Sequence, residues 1–175
     1  MLSVYTVSLV LENIELTDSN LDRIFDAFPN AVPAAIGGMV TLTVPVEATT
    51  PEGAAFSLVD SVASALPDTV PVRLDRDLVS IPDIAERTNR TRESVRLLVE
   101  GKRGPGRFPS PVGTVGDAIR VWPWSSVIDW LLESGLVEET GERGISSEAA
   151  ARVDAWLAAK RQPYAEPTST RPRRA

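Results

Sequence analysis

The chain has 175 residues, 43% of them hydrophobic and 24% charged, and contains neither cysteine nor histidine. A hydrophobic core is therefore within reach, while thiolate metal sites, thiol catalysis and the commonest general base are excluded. The net charge of −6 is unevenly spread: residues 1–79 carry −8, residues 80–122 carry +3 and residues 123–175 carry −1.

Tyr5, Val7, Leu9 and Leu11 alternate with the period of a half-buried strand. Thr17 or Asp18 caps a helix whose Leu21, Ile24, Phe25 and Phe28 form one apolar stripe. Its paired Asp22 and Asp26 belong to a solvated face. Pro29-Asn30 stops this helix, and Ala31 to Ile36 reads as a short strand with Pro33 inside it. Gly37-Gly38 is a two-residue hairpin turn, and Val40, Leu42, Val44 and Val46 alternate on the return. Thr50-Pro51-Glu52 starts a second helix, with Ala55, Leu58, Val59, Val62, Ala63 and Leu66 inward. Val70, Val72 and Leu74 form a last strand. The order is β-α-β-β-α-β, and it resembles a ferredoxin-like α+β domain over residues 1–78.

Ser80 caps a helix starting at Pro82, with Asp83 near the positive end of its dipole and Ile84 and Ala85 facing inward. Thr88-Asn89-Arg90 is a tight turn in which Asn89 takes a left-handed conformation. Thr91 caps the next helix, which turns Val95, Leu98 and Val99 inward and Arg92 and Arg96 outward. Between Arg87 and Arg107 lie 7 positive and 2 negative residues. A helix-turn-helix with cations on its exposed face suits a polyanion partner. Phe108 to Val112 is extended. Val112 to Trp122 reads as a hairpin turning at Gly116-Asp117, which would be a wing. Pro123-Trp124 starts a helix with Val127, Trp130 and Leu131 on its apolar side, broken by Ser134-Gly135. Ser146 caps a final helix, with Ala149, Val153, Ala155, Trp156 and Leu157 apolar. This helix is expected to pack on the winged unit, giving a domain over 79–161. Residues 162–175 read as a disordered tail.

The segment Ser80 to Leu132 resembles the winged helix-turn-helix of the MerR-like superfamily, on its excisionase and AlpA-like side. The residues that carry the likeness are Ile81, Ile84-Ala85, Thr91, Ser94-Val95, Leu98, the run Gly106 to Val112, Val121-Trp122, Val127 and Trp130-Leu131. The chain also resembles small actinobacterial helix-turn-helix proteins with an N-terminal domain of the β-α-β-β-α-β kind. The resemblance implies major-groove reading by the second helix and backbone contact by the wing. Lys102 to Pro105 lengthens the link before Phe108 relative to that pattern.

Chemistry assigns roles within this frame. Arg92 and Arg96 can each give paired hydrogen bonds to a guanine edge. Thr91, Glu93 and Ser94 stand at the helix start, where base contacts fall. Lys102, Arg103 and Arg107, with Arg87 and Arg90, suit phosphates. The ordinary alternative pairs Arg87 with Asp83, and Arg96 with Glu93 or Glu100. Trp122 and Trp130 are assigned to the core.

The expectation is a sequence-specific binder of double-stranded DNA, probing it as a homodimer and regulating transcription. No cofactor, no metal and no catalysis is expected. The alternative is a protein-interaction adaptor or antitoxin-like partner on the same fold. No apolar run approaches the roughly 20 residues of a membrane helix, and Met1 leads straight into strand-like sequence rather than a signal peptide. The cytoplasm is the expected location.

Overall fold

The computed structural model describes residues 1–116, 118–138 and 142–161. The expected turn residue Asp117 and the expected disordered tail at 162–175 lie outside them. The fold is mixed α and β, with antiparallel sheets. Strands β1 (Ser3–Glu12), β2 (Val32–Ile36), β3 (Met39–Ala48) and β4 (Val70–Leu74) form one sheet in the order β2-β3-β1-β4. Helices α1 (Asp18–Ala27) and α2 (Pro51–Ala65) connect them.

Local chemistry explains the boundaries. The Thr17 hydroxyl accepts from the Asn20 N–H at 3.3 Å, and the Thr50 hydroxyl from the Gly53 N–H at 3.1 Å. Each satisfies an N–H that a helix start leaves without a partner. Gly37 and Gly38 both take positive φ, 59° and 82°, as a tight hairpin turn demands. Along β1 the residues Tyr5, Val7, Leu9 and Leu11 are buried with Leu42 and Val44 of β3 and with Ile24, Phe28, Leu58, Val59 and Val62 from the two helices. Two members of the expected stripes turn outward instead. Phe25 is 45% exposed and Ala63 is exposed, while Ala54 is buried. A helix lying on a sheet covers a narrow stripe, so residues flanking it reach solvent.

The second unit begins with β5 (Leu78–Val79), then α3 (Ile81–Arg87), α4 (Arg92–Val99), β6 (Gly113–Val115), β7 (Ile119–Pro123) and α5 (Trp124–Glu133). Its small sheet runs β5-β7-β6. Val79, Ile84, Ala85, Val95, Leu98, Trp122, Val127, Trp130 and Leu131 make its core.

The last two elements depart from expectation. Strand β8 (Glu142–Arg143) pairs parallel with Val4 and Tyr5 of β1. Helix α6 (Ser147–Arg161), expected to pack on the second unit, lies against β4 and α2 of the first. Ala150, Val153 and Leu157 enter the core of the first unit instead, and Trp156 meets Phe56 of α2 with ring centroids 4.6 Å apart. Ala155, expected inward, is exposed. Polar contacts agree: Asp154 accepts from the Leu74 N–H at 2.7 Å, and Arg152 pairs with Glu52. The chain thus returns to the first unit after building the second. No helix among the described residues is long and apolar enough to cross a membrane.

Candidate nucleic-acid interface

The two helices α3 and α4 meet through a three-residue turn. Asn89 stands at φ 50°, and the Arg90 N–H donates to the Ala85 carbonyl at 2.8 Å. Asp83 accepts from the Ser80 N–H at 2.8 Å, and the Ser80 hydroxyl donates to it as well. These bonds, the hydroxyl's first, hold the Asp83 carboxyl below its usual range. The Thr91 hydroxyl caps α4 by accepting from the Ser94 N–H at 3.1 Å. Val95 and Leu98 face the core, so Arg92, Glu93 and Arg96 are forced to the surface.

The segment after α4 follows a fixed path rather than a loose link. Gly101 at φ 68° ends the helix, and the N–H groups of Lys102 and Arg103 both donate to the Leu97 carbonyl, at 2.9 and 3.1 Å. Gly104 lies against Leu98 and Trp130, where a Cβ would stand 3.0 Å from the leucine side chain. The Trp130 indole donates to the Gly106 carbonyl at 3.1 Å, and the Trp122 indole to the Pro109 carbonyl at 2.9 Å. Phe108 sits edge-on to both rings. The two tryptophans, placed in the core by sequence, are buried there, and their indole donors also pin the chain that carries Lys102, Arg103 and Arg107. A buried tryptophan seeks a partner for its one N–H, but sequence does not say which carbonyl will supply it.

The predicted site residues sort into distinct environments. Arg92 is exposed and makes neither an ion pair nor a hydrogen bond among the described residues. Arg96 is held on both sides: Glu93 accepts from its Nε and Nη2 at 2.9 and 2.7 Å, and Glu100 from its Nη1 at 2.6 Å. These bonds raise the Arg96 pKa and, with Lys102 acting first on Glu100, lower both carboxyls. Lys102 reaches Glu100 at 2.8 Å. Arg103 lies 3.5 Å from the Ser94 hydroxyl, which brings the loop beside the start of α4. Arg107 is exposed, with φ 57°.

Two others serve the framework. Arg87 pairs with both oxygens of Asp77, at 2.5 and 2.7 Å, rather than with Asp83, and its guanidinium lies 5.0 Å from the centre of the Trp124 ring. The Asp77 bonds raise its pKa. Arg90 donates to the Leu136 carbonyl at 2.8 Å, tying the turn to the end of α5. Sequence reasoning also missed Arg120, which is exposed on β7 with its guanidinium 5.6 Å from the Trp122 ring. It lies outside the dense cluster that drew attention to residues 87–107.

The β6–β7 hairpin and the residue leading into it carry little charge among the described residues. Val112, Val115 and Ile119 are more than half exposed on it, and Arg120 is its basic residue among those described. A cleft of about 640 Å³ separates the first unit's open sheet face from the second unit, with Thr6, Ser8, Thr41 and Thr43 on one wall and Arg87 and Trp124 on the other. No protein-family model, curated protein or solved structure matches the chain.

Proposed function

We propose that the protein binds double-stranded DNA sequence-specifically, with α4 in the major groove, and acts as a transcriptional regulator in the cytoplasm. The observation that carries this reading is the exposed face of α4. Arg92 stands free there, Arg96 beside it, and the pinned loop brings Lys102 and Arg103 alongside. The α3–turn–α4 hairpin followed by the β6–β7 hairpin supports a winged helix-turn-helix. The strand order β2-β3-β1-β4 with two connecting helices supports a ferredoxin-like first unit. Within this reading Arg92 is the ready base contact. Arg96 must first exchange Glu93 and Glu100 for a base edge, so it contacts DNA only where the gain exceeds that loss.

Selection of a random duplex library by the full chain tests the reading, followed by sequencing and a salt titration. An enriched motif, relaxed at one position by Arg92→Ala, supports it. Phosphate contact by Lys102, Arg103 and Arg107 gives a log–log salt slope of roughly −3. An unenriched library refutes base reading.

A second reading is supported by the wing. Its exposed Val112, Val115 and Ile119 suit an apolar protein surface better than a phosphate backbone. Stable capture of a protein partner without salt-sensitive DNA affinity would favour that adaptor.

A further inference from the structure

The exposed face of α4 joins opposite charges into one unit. Glu93, in the first turn, uses both carboxylate oxygens to accept from the Arg96 Nε and Nη2, at 2.9 and 2.7 Å. On the far side Glu100 accepts from the Arg96 Nη1 at 2.6 Å and pairs with the Lys102 ammonium at 2.8 Å. The two carboxylates differ in what each keeps when Arg96 turns away. Glu100 keeps Lys102. Glu93 keeps nothing, since among the described residues its side chain bonds Arg96 alone. Glu93 is also the more open of the two, with its side chain 62% exposed against 27% for Glu100.

Such a unit meets phosphates and base edges differently. A phosphate only accepts hydrogen bonds. Drawing Arg96 onto one leaves the Glu93 carboxylate unpaired beside further negative charge, which is costly. The floor of the major groove offers donors as well as acceptors. Guanine presents its N7 and O6 acceptors, and cytosine presents its N4 amino donor. There Arg96 exchanges one pair of acceptors for another, and Glu93 exchanges one donor for another. Adenine has an amino group too, but its N7 acceptor lies beside it and opposes a carboxylate.

Resting on the DNA-binding reading above, we propose that Glu93 is a specificity-determining residue of α4. Together Glu93 and Arg96 read a guanine and, on the neighbouring base pair, a cytosine. A paired arginine fork fills the guanine edge. Two side chains that now meet tip to tip need part by only one base step, about 3.4 Å. Glu100 stays with Lys102 and reads no base. The same carboxylates hold Arg96 back from sequences that lack the step.

The test is selection of a random duplex library by the full chain as wild type, Glu93→Gln and Glu100→Gln, each followed by sequencing. Both replacements keep the shape of the side chain and should leave the circular dichroism spectrum unchanged. The wild-type motif should contain the guanine–cytosine step. Glutamine pairs with the N6 and N7 of adenine. Glu93→Gln should therefore move that one position from cytosine to adenine, changing their ratio about tenfold or more, with the guanine retained. Glu100→Gln should leave both positions as in the wild type. A wild-type motif without the step overturns the proposal and leaves DNA binding standing. So does a Glu93→Gln protein that selects the wild-type motif, or a Glu100→Gln protein that also moves the cytosine position. A library that the wild type does not enrich overturns base reading and this inference together.

Discussion

Leu157→Ala tests the return of α6 to the first unit. Leu157 is 3% exposed and belongs to the core formed by β1, β3, α1 and α2. Truncation removes three carbons, or about 2.4 kcal/mol at about 0.8 kcal/mol each, and the cavity left behind brings the loss to about 3 kcal/mol. For a chain of this length that lowers Tm by roughly 6–12 °C. Urea denaturation gives the total, and amide hydrogen exchange locates it. Exchange should accelerate in β1, β3 and α2, while the second unit keeps its protection. Ala155→Gln, on the exposed side of the same helix, is the control and should be neutral. A loss below about 1 kcal/mol, or acceleration confined to residues 80–138, would refute the packing.

Three further outcomes follow from named contacts. Trp122→Phe keeps most of the ring but leaves the Pro109 carbonyl without its indole donor. It should cost about 1–3 kcal/mol by thermal denaturation and weaken DNA binding through the loosened loop. Asn89→Gly should be tolerated at φ 50°, whereas Asn89→Val should cost about 1–2 kcal/mol in the same assay. Asp83 has a lowered pKa, first through the Ser80 hydroxyl, so its contribution is complete above the unfolded value of about 3.9 and is lost as pH falls through the lower folded value. Ser80→Ala should therefore be less stable than wild type at neutral pH, with the gap narrowing in acid; a gap that widens below pH of about 4 would contradict the assignment.

The first six elements were legible because each carried its own signals: alternation in β1 and β3, glycines at the hairpin, hydroxyl caps at Thr17 and Thr50. The α3–α4 pair was legible for the same reason, through Ser80, Asn89 and Thr91. The partner of α6 was not. Its apolar residues say that one face is buried, and nothing in their spacing says against what. The decisive contacts, Asp154 with the Leu74 N–H and Arg152 with Glu52, join residues 80 and 100 positions apart. Strand β8 is two residues long and has no room to show a period. At the candidate interface, sequence located the cations but not how each is occupied. Arg87 and Arg90 look like their neighbours in composition, and only the fold turns one toward Asp77 and the other toward Leu136.

Those diverted arginines bear on how the two units communicate. Arg76 and Asp77 are adjacent in the link, yet they engage opposite units. Arg76 reaches Asp154 and the Ser147 carbonyl of α6, at 2.7 and 3.2 Å. Asp77, at φ 45°, receives Arg87 of α3 on its carboxylate and the Trp124 N–H of α5 on its carbonyl. A link held on both sides by charge-assisted bonds cannot swing freely. The orientation of α3, and through its packing that of α4, is therefore set against the first unit rather than against solvent. In a DNA-bound dimer of the proposed regulator, that fixed orientation would set the separation of the two α4 helices. The spacing of half-sites in a selected DNA motif would report that separation directly. Breaking the Arg87–Asp77 pair should relax the spacing while leaving each half-site's sequence unchanged, because neither residue belongs to the exposed face of α4.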